Sequence, residues 1–128
     1  DTLDIDLAQY ENAIAAELKI VADNSLPLEV AVQGYFLGEN NRVIDSLFTK
    51  ISPVIGAAPV DEFGEVINME SLVTFVPVEG DRFARIKEAK KMLLTTAFSS
   101  YNNGQIPVKI YTDQQVDIRM GMKLTVQQ

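Results

Sequence analysis

The sequence predicts an α+β fold: a mainly antiparallel sheet of four to five strands with about three helices packed on one face. Three observations carry that expectation. Apolar residues recur at steps of three and four in three stretches, the spacing of helices. In other stretches they alternate with polar residues, the period of a half-buried strand. Glycine, proline and asparagine punctuate the boundaries between them. The 128 residues suit one domain, taken as 1–128, and 47% hydrophobic against 23% charged residues is ordinary globular composition that can bury a core.

In chain order, Leu7, Tyr10, Ile14, Leu18 and Val21 fall on one helical stripe. Asp6 fits an N-cap, Gln9 stands where a capping-box partner stands, and Asn24-Ser25 with Pro27 stops the helix. Leu3, Ile5 and Leu7 also alternate with Asp4 and Asp6, so residues 2–7 read as a short edge strand or as helix, and both readings stay open. Leu28, Val30, Val32 and Phe36 share one parity and Glu29, Gln33 and Tyr35 the other, which predicts a strand with a bulge at Gly34. After turn residues Gly38 to Asn41, Val43, Ile44, Leu47, Phe48 and Ile51 predict a second helix ending at Pro53. Residues 56–64 read as a loop.

Leu72 to Val78 is apolar at both parities, the pattern of a central strand buried on both faces, with Pro77 limiting its far end. Gly80-Asp81 opens a third helix over 82–98, with Phe83, Ile86, Leu93, Leu94 and Ala97 on one stripe, and Asn102-Asn103-Gly104 ends it. Ile106, Val108 and Ile110 alternate with polar neighbours and predict a hairpin with the strand at 116–126. There Val116, Ile118, Met120, Met122, Leu124 and Val126 face inward, and Asp117, Arg119, Gly121, Lys123 and Thr125 face solvent or a partner.

Chemistry is limited by what is missing. The chain has no histidine and no cysteine, which excludes imidazole acid–base work, thiol nucleophiles, disulfides and His- or Cys-ligated metals. Asp4 with Asp6, and Asp61, Glu62 and Glu65, are its tight acidic clusters, and they read as solvated positions without the order of a calcium loop. The serines have no histidine to activate them, and no glycine pattern cradles phosphate. The expectation is therefore no catalytic, cofactor-binding or metal-binding residue. A net charge of −7 argues against nucleic acid. No run approaches about 18 apolar residues and the N-terminus lacks a signal-peptide pattern, so the chain is expected to be soluble without membrane insertion; a leader removed before Asp1 stays open.

Charge is unevenly placed: residues 1–81 hold 15 acids and 3 bases, net −12, while 82–128 hold 3 acids and 8 bases, net +5. Either the basic segment neutralises acids within one subunit, or complementary surfaces join copies of the chain. The second reading makes Arg82, Arg85, Lys90, Lys91, Arg119 and Lys123 interface candidates. Lys90 is a special case, because on the apolar stripe of the third helix it has to snorkel, pair with a carboxylate, or give up its proton on burial and become a reactive amine. The expected function is a non-enzymatic assembly subunit that associates with itself or with another protein, as in rings, tubes or connectors of viral particles or bacterial surface and secretion machines. One alternative is a small-molecule-binding regulatory domain with a pocket at a dimer seam, lined by Tyr35, Phe75 and Tyr111. The other is an enzyme built on Asp61, Glu65 or Lys90 alone.

Overall fold

Period-two alternation, rather than helical spacing, governs most of the chain. The computed structural model describes residues 2–49, 53–99, 109, 111 and 114–127. Its elements are β1 (Thr2–Asp4), β2 (Ala13–Asn24), β3 (Glu29–Leu37), β4 (Val43–Ser46), β5 (Val54–Ile55), β6 (Glu70–Glu79), α1 (Gly80–Ile86), β7 (Lys91–Ser99) and β8 (Val116–Val126). They form two sheets, a five-stranded one ordered β1-β7-β3-β4 with β5 also on β3, and a three-stranded one ordered β6-β2-β8. The expected single sheet under three helices is thus overturned: the molecule is mostly β, a two-sheet sandwich with one α-helix among the described residues.

The helix expected over 8–23 is β2. Ala16, Leu18, Ile20 and Ala22 are buried while Glu17 and Lys19 point out. Alanine favours helices only weakly, by less than about 1 kcal/mol per residue over most alternatives, and two ladders outweigh it. β2 pairs with β6 from Ala15 to Asn24 on one edge and with β8 over the same stretch on the other. The local capping chemistry persists on one short turn, where Gln9 Nε2 donates to the Asp6 carbonyl at 3.0 Å beside a 3-10 turn at Leu7–Gln9. Of the two readings for residues 2–7, the strand holds for Thr2–Asp4.

The second expected helix is replaced by a hairpin. Asn40 and Asn41 both have φ of 58°, Arg42 N donates to the Glu39 carbonyl and Gly38 N to the Arg42 carbonyl, so a type I′ turn joins β3 to β4. Asparagine tolerates this left-handed pair far better than most residues. Gly34 is not a bulge, since β3 pairs with β7 in unbroken register through it. Glycine is needed there because Leu47 docks against it; a Cβ on Gly34 falls 3.1 Å from the Leu47 Cβ.

The third expected helix starts where predicted, but α1 ends at Ile86 and Lys91–Ser99 is strand β7. β-branched Thr95 and Thr96 and aromatic Phe98 favour that choice, and the strand pairs with β3 over nine residues. Lys90 accordingly lies beyond the helix and is exposed, not on an apolar stripe. β6 is neither central nor doubly buried: β2 lies on one edge, no described strand lies on the other, and Val73 and Phe75 are 48% and 56% exposed. It runs past Pro77 to Glu79, as an edge strand can, since proline lacks only a hydrogen-bond donor. β3 and β8 alternate as expected. The partner expected for β8, 106–111, lies mostly outside the described residues; β8 pairs with β2.

The core lies between the sheets. Leu18, Ile20, Val76 and Val78 from one sheet meet Phe36 and Met92 from the other, and Phe83 and Ile86 of α1 close one end. Ala22, Val30, Val32 and Ile55 form a second cluster. Asn24, fully buried, knits the β2–β3 turn to the β5 region by donating to the Leu28 and Gly56 carbonyls and accepting from Leu26 N.

Candidate interaction face

The three-stranded sheet presents its odd-numbered residues outward, and the pairing registers fix their rows. Pro77, Glu17 and Lys123 form one row across β6, β2 and β8. Phe75, Lys19 and Gly121 form the next, and Val73, Val21 and Arg119 the one after. β6 thus contributes an apolar column of Val73, Phe75 and Pro77, and β8 a column dominated by Arg119 and Lys123. Between them runs β2, with Glu17 and Lys19 side by side.

Electrostatics on this face are resolved at one end and open in the middle. Arg119 Nη2 meets Asp23 Oδ2 at 2.8 Å, and Ser71 Oγ donates to Asp23 Oδ1 at 2.6 Å. Lys19 Nζ lies 5.9 Å from the centre of the Phe75 ring, within cation–π range. No ion pair forms to Glu17, Lys19 or Lys123 among the described residues. A Cβ built on Gly121 meets nothing within 4 Å, so the centre of β8 is a shallow open spot.

The six basic candidates separate into three groups. Arg82 and Arg85 both turn onto Asp45 Oδ2, at 3.3 and 3.4 Å, and Arg82 Nη2 also donates to the Ser46 and Leu47 carbonyls, tying α1 to β4. Lys90 and Lys91 follow α1 and are exposed, and Lys90 borders a cleft with Glu39, Arg42 and Glu88. Arg119 and Lys123 share the outer face of β8. The neighbours of that pair, Glu17, Lys19, Val73 and Phe75, escape the sequence reading because 8–23 scans as helix and 72–78 as a buried strand. The signal was present in the alternation of Glu17, Lys19 and Asp23 with Leu18, Ile20 and Ala22.

Within one chain the residues expected to line a pocket at a dimer seam stand apart. Tyr35 sits half-buried on the outer side of β3 and Phe75 on the outer side of β6, on opposite sheets, while the Tyr111 hydroxyl donates to Glu65 Oε1 at 2.7 Å. The core void lined by Leu7, Phe36, Val78, Phe83 and Met120 is about 30 Å3, room for one water and wholly apolar. An open cleft of about 640 Å3 between β7 and β8 is lined in part by Phe98, Gln115 and Asp117, and there the Gln115 amide is already bonded to the Asp117 carboxylate. Asp61 is likewise occupied: its Oδ1 accepts from Phe63 N and Glu65 N and closes a tight turn between the bridged Val60 and Val66. Among the described residues no buried side-chain polar atom lacks a partner, and no three carboxylates converge as a metal site. No described helix is long and apolar enough to cross a membrane. Comparison with known protein families, curated proteins and solved structures finds no match.

Proposed function

We propose that the protein is a non-enzymatic assembly subunit that associates with copies of itself through the outer face of its three-stranded sheet. The observation that carries this reading is the exposed column Val73, Phe75 and Pro77 beside Glu17, Lys19 and Lys123, which form no ion pair among the described residues. Exposed single hydrophobics are ordinary, whereas a contiguous apolar column rimmed by charge on a sheet face is the anatomy of a contact surface. The rest of the molecule supports it: the ion pairs of Arg82, Arg85 and Arg119 are made inside the chain, and buried polar groups are satisfied there too.

Light scattering over a concentration series tests it. The expected mass rises above 14.2 kDa with concentration and falls again at high salt, where the screening length shrinks from about 10 Å at 0.1 M to about 3 Å at 1 M. A constant 14.2 kDa at every concentration contradicts the reading.

A further inference from the structure

Resting on that reading, we infer that the occupant of this face is a second copy packed about a two-fold axis that crosses the strands midway between the Glu17 and Lys19 rows. The charge pattern selects this arrangement from the alternatives. In a face-to-face pair with the axis across the strands, each strand lies over its own counterpart and runs antiparallel to it. An axis placed on the Lys19 row sets Lys19 against the partner's Lys19 and Arg119 near the partner's Lys123. An axis along β2 sets Glu17 against the partner's Glu17. Both place like charges in contact, which costs affinity. An axis between β2 and β8 sets Glu17 against the partner's Lys123 but leaves the apolar column of β6 uncovered.

Moving the axis half a row, about 3.3 Å along the strand, changes every central pairing. Lys19 then faces the partner's Glu17 and Glu17 the partner's Lys19, satisfying the charges left unpaired in the single chain. Phe75 faces the partner's Pro77 and Val21 the partner's Ala15, so apolar surface meets apolar surface at the centre, while Val73 at the margin faces the partner's Glu79. Lys123 faces the partner's Gly121, which carries no side chain and around whose Cβ position there is open space. Arg119 and Asp23 lie one and a half and two and a half rows from the centre, and their pair stays within its own chain.

The contact is isologous, the usual form of a closed pair. Right-handed twist turns facing sheets by roughly 30°, so contact is tightest at the centre, where these pairings fall. The face measures about 15 Å by 30 Å, or about 900 Å2 over both copies, below the size of stable complexes and in the class of weak, reversible ones.

The test exchanges charge at the two central positions. Glu17→Lys puts two cations in the centre of the face and Lys19→Glu puts two anions there. Both positions are exposed, and circular dichroism with urea unfolding confirms that each variant retains the native fold. By sedimentation up to about 1 mM, each variant alone should dimerise at least roughly tenfold more weakly than the wild type. An equimolar mixture should form a heterodimer at least as readily as the wild type forms its homodimer. Gly121→Lys, which meets no atom of its own chain, should also weaken the wild-type pair by setting two cations together. Single variants that dimerise like the wild type, or a mixture that stays monomeric, overturn this register, while association through the same face in another register stands if Phe75→Glu abolishes it. A wild type that is monomeric throughout overturns both the register and the reading on which it rests.

Discussion

β3 and β2 are the central strands of their sheets, of 9 and 12 residues, each paired on both edges and each turning one parity into the shared core. They differ on the other parity. After an exposed Glu29 at its start, β3 sends out Ala31, Gln33 and Tyr35, uncharged and half-buried. The Gln33 amide both donates to the Phe48 carbonyl and accepts from its N–H, so the chain after β4 is fastened onto that side. β2 sends out Glu17 and Lys19, exposed and without an ion pair among the described residues, beside the open Val73 and Phe75. The difference teaches that alternation decides which residues enter the core, while the use of the remaining face depends on what else the chain lays across it.

That contrast can be broken by substitution, with the largest effects on the shared side. Phe36→Ala on β3 should lower unfolding free energy by about 3–5 kcal/mol and Leu18→Ala on β2 by about 2–5 kcal/mol in urea titrations, since both fill one core. A loss under about 1 kcal/mol at either would mean the sheets do not share it. The two glycines sharpen the point. Gly34→Val collides with Leu47 and should cost about 1–3 kcal/mol, while Gly121→Val, with open space around it, should change thermal stability by no more than about 0.5 kcal/mol or raise it.

Smaller effects separate the outer faces. Gln33→Ala removes both partners from the Phe48 backbone and should cost about 1–3 kcal/mol, visible also as faster amide exchange at Phe48. Lys19→Ala, exposed and without an ion pair among the described residues, should leave the isolated chain's stability within about 0.5 kcal/mol. Equal costs at the two positions would erase the distinction drawn here between a fastened and an open face.

Legibility follows the same physics. β3 and β8 are plain in the sequence because their polar and apolar residues separate cleanly by parity, and the start of α1 is plain in Gly80-Asp81. β2 is obscured by its alanines and by the coincidence that Ile14, Leu18 and Val21 also satisfy a helical stripe. β7 is obscured because Leu93, Leu94 and Ala97 continue the stripe begun by Phe83 and Ile86, and only pairing with β3 decides the matter. Asn40-Asn41 suits a type I′ turn as well as a helix cap, and local spacing does not separate the two. Of the interaction face, Arg119 and Lys123 were legible as outward residues of a regular strand. Glu17, Lys19, Val73 and Phe75 were not, because their exposure depends on which strand lies at a sheet edge, a long-range property that local spacing does not carry.

The central claim, that the outer face of the three-stranded sheet is where copies meet, is tested most directly by one pair of variants in sedimentation equilibrium. Phe75→Glu places a charge in the exposed apolar column, and Thr95→Glu places one on the exposed outer side of the other sheet. The account predicts that Phe75→Glu remains at 14.2 kDa at concentrations where the wild type and Thr95→Glu both associate. Association of Phe75→Glu equal to that of the wild type, or its selective loss in Thr95→Glu, would contradict it.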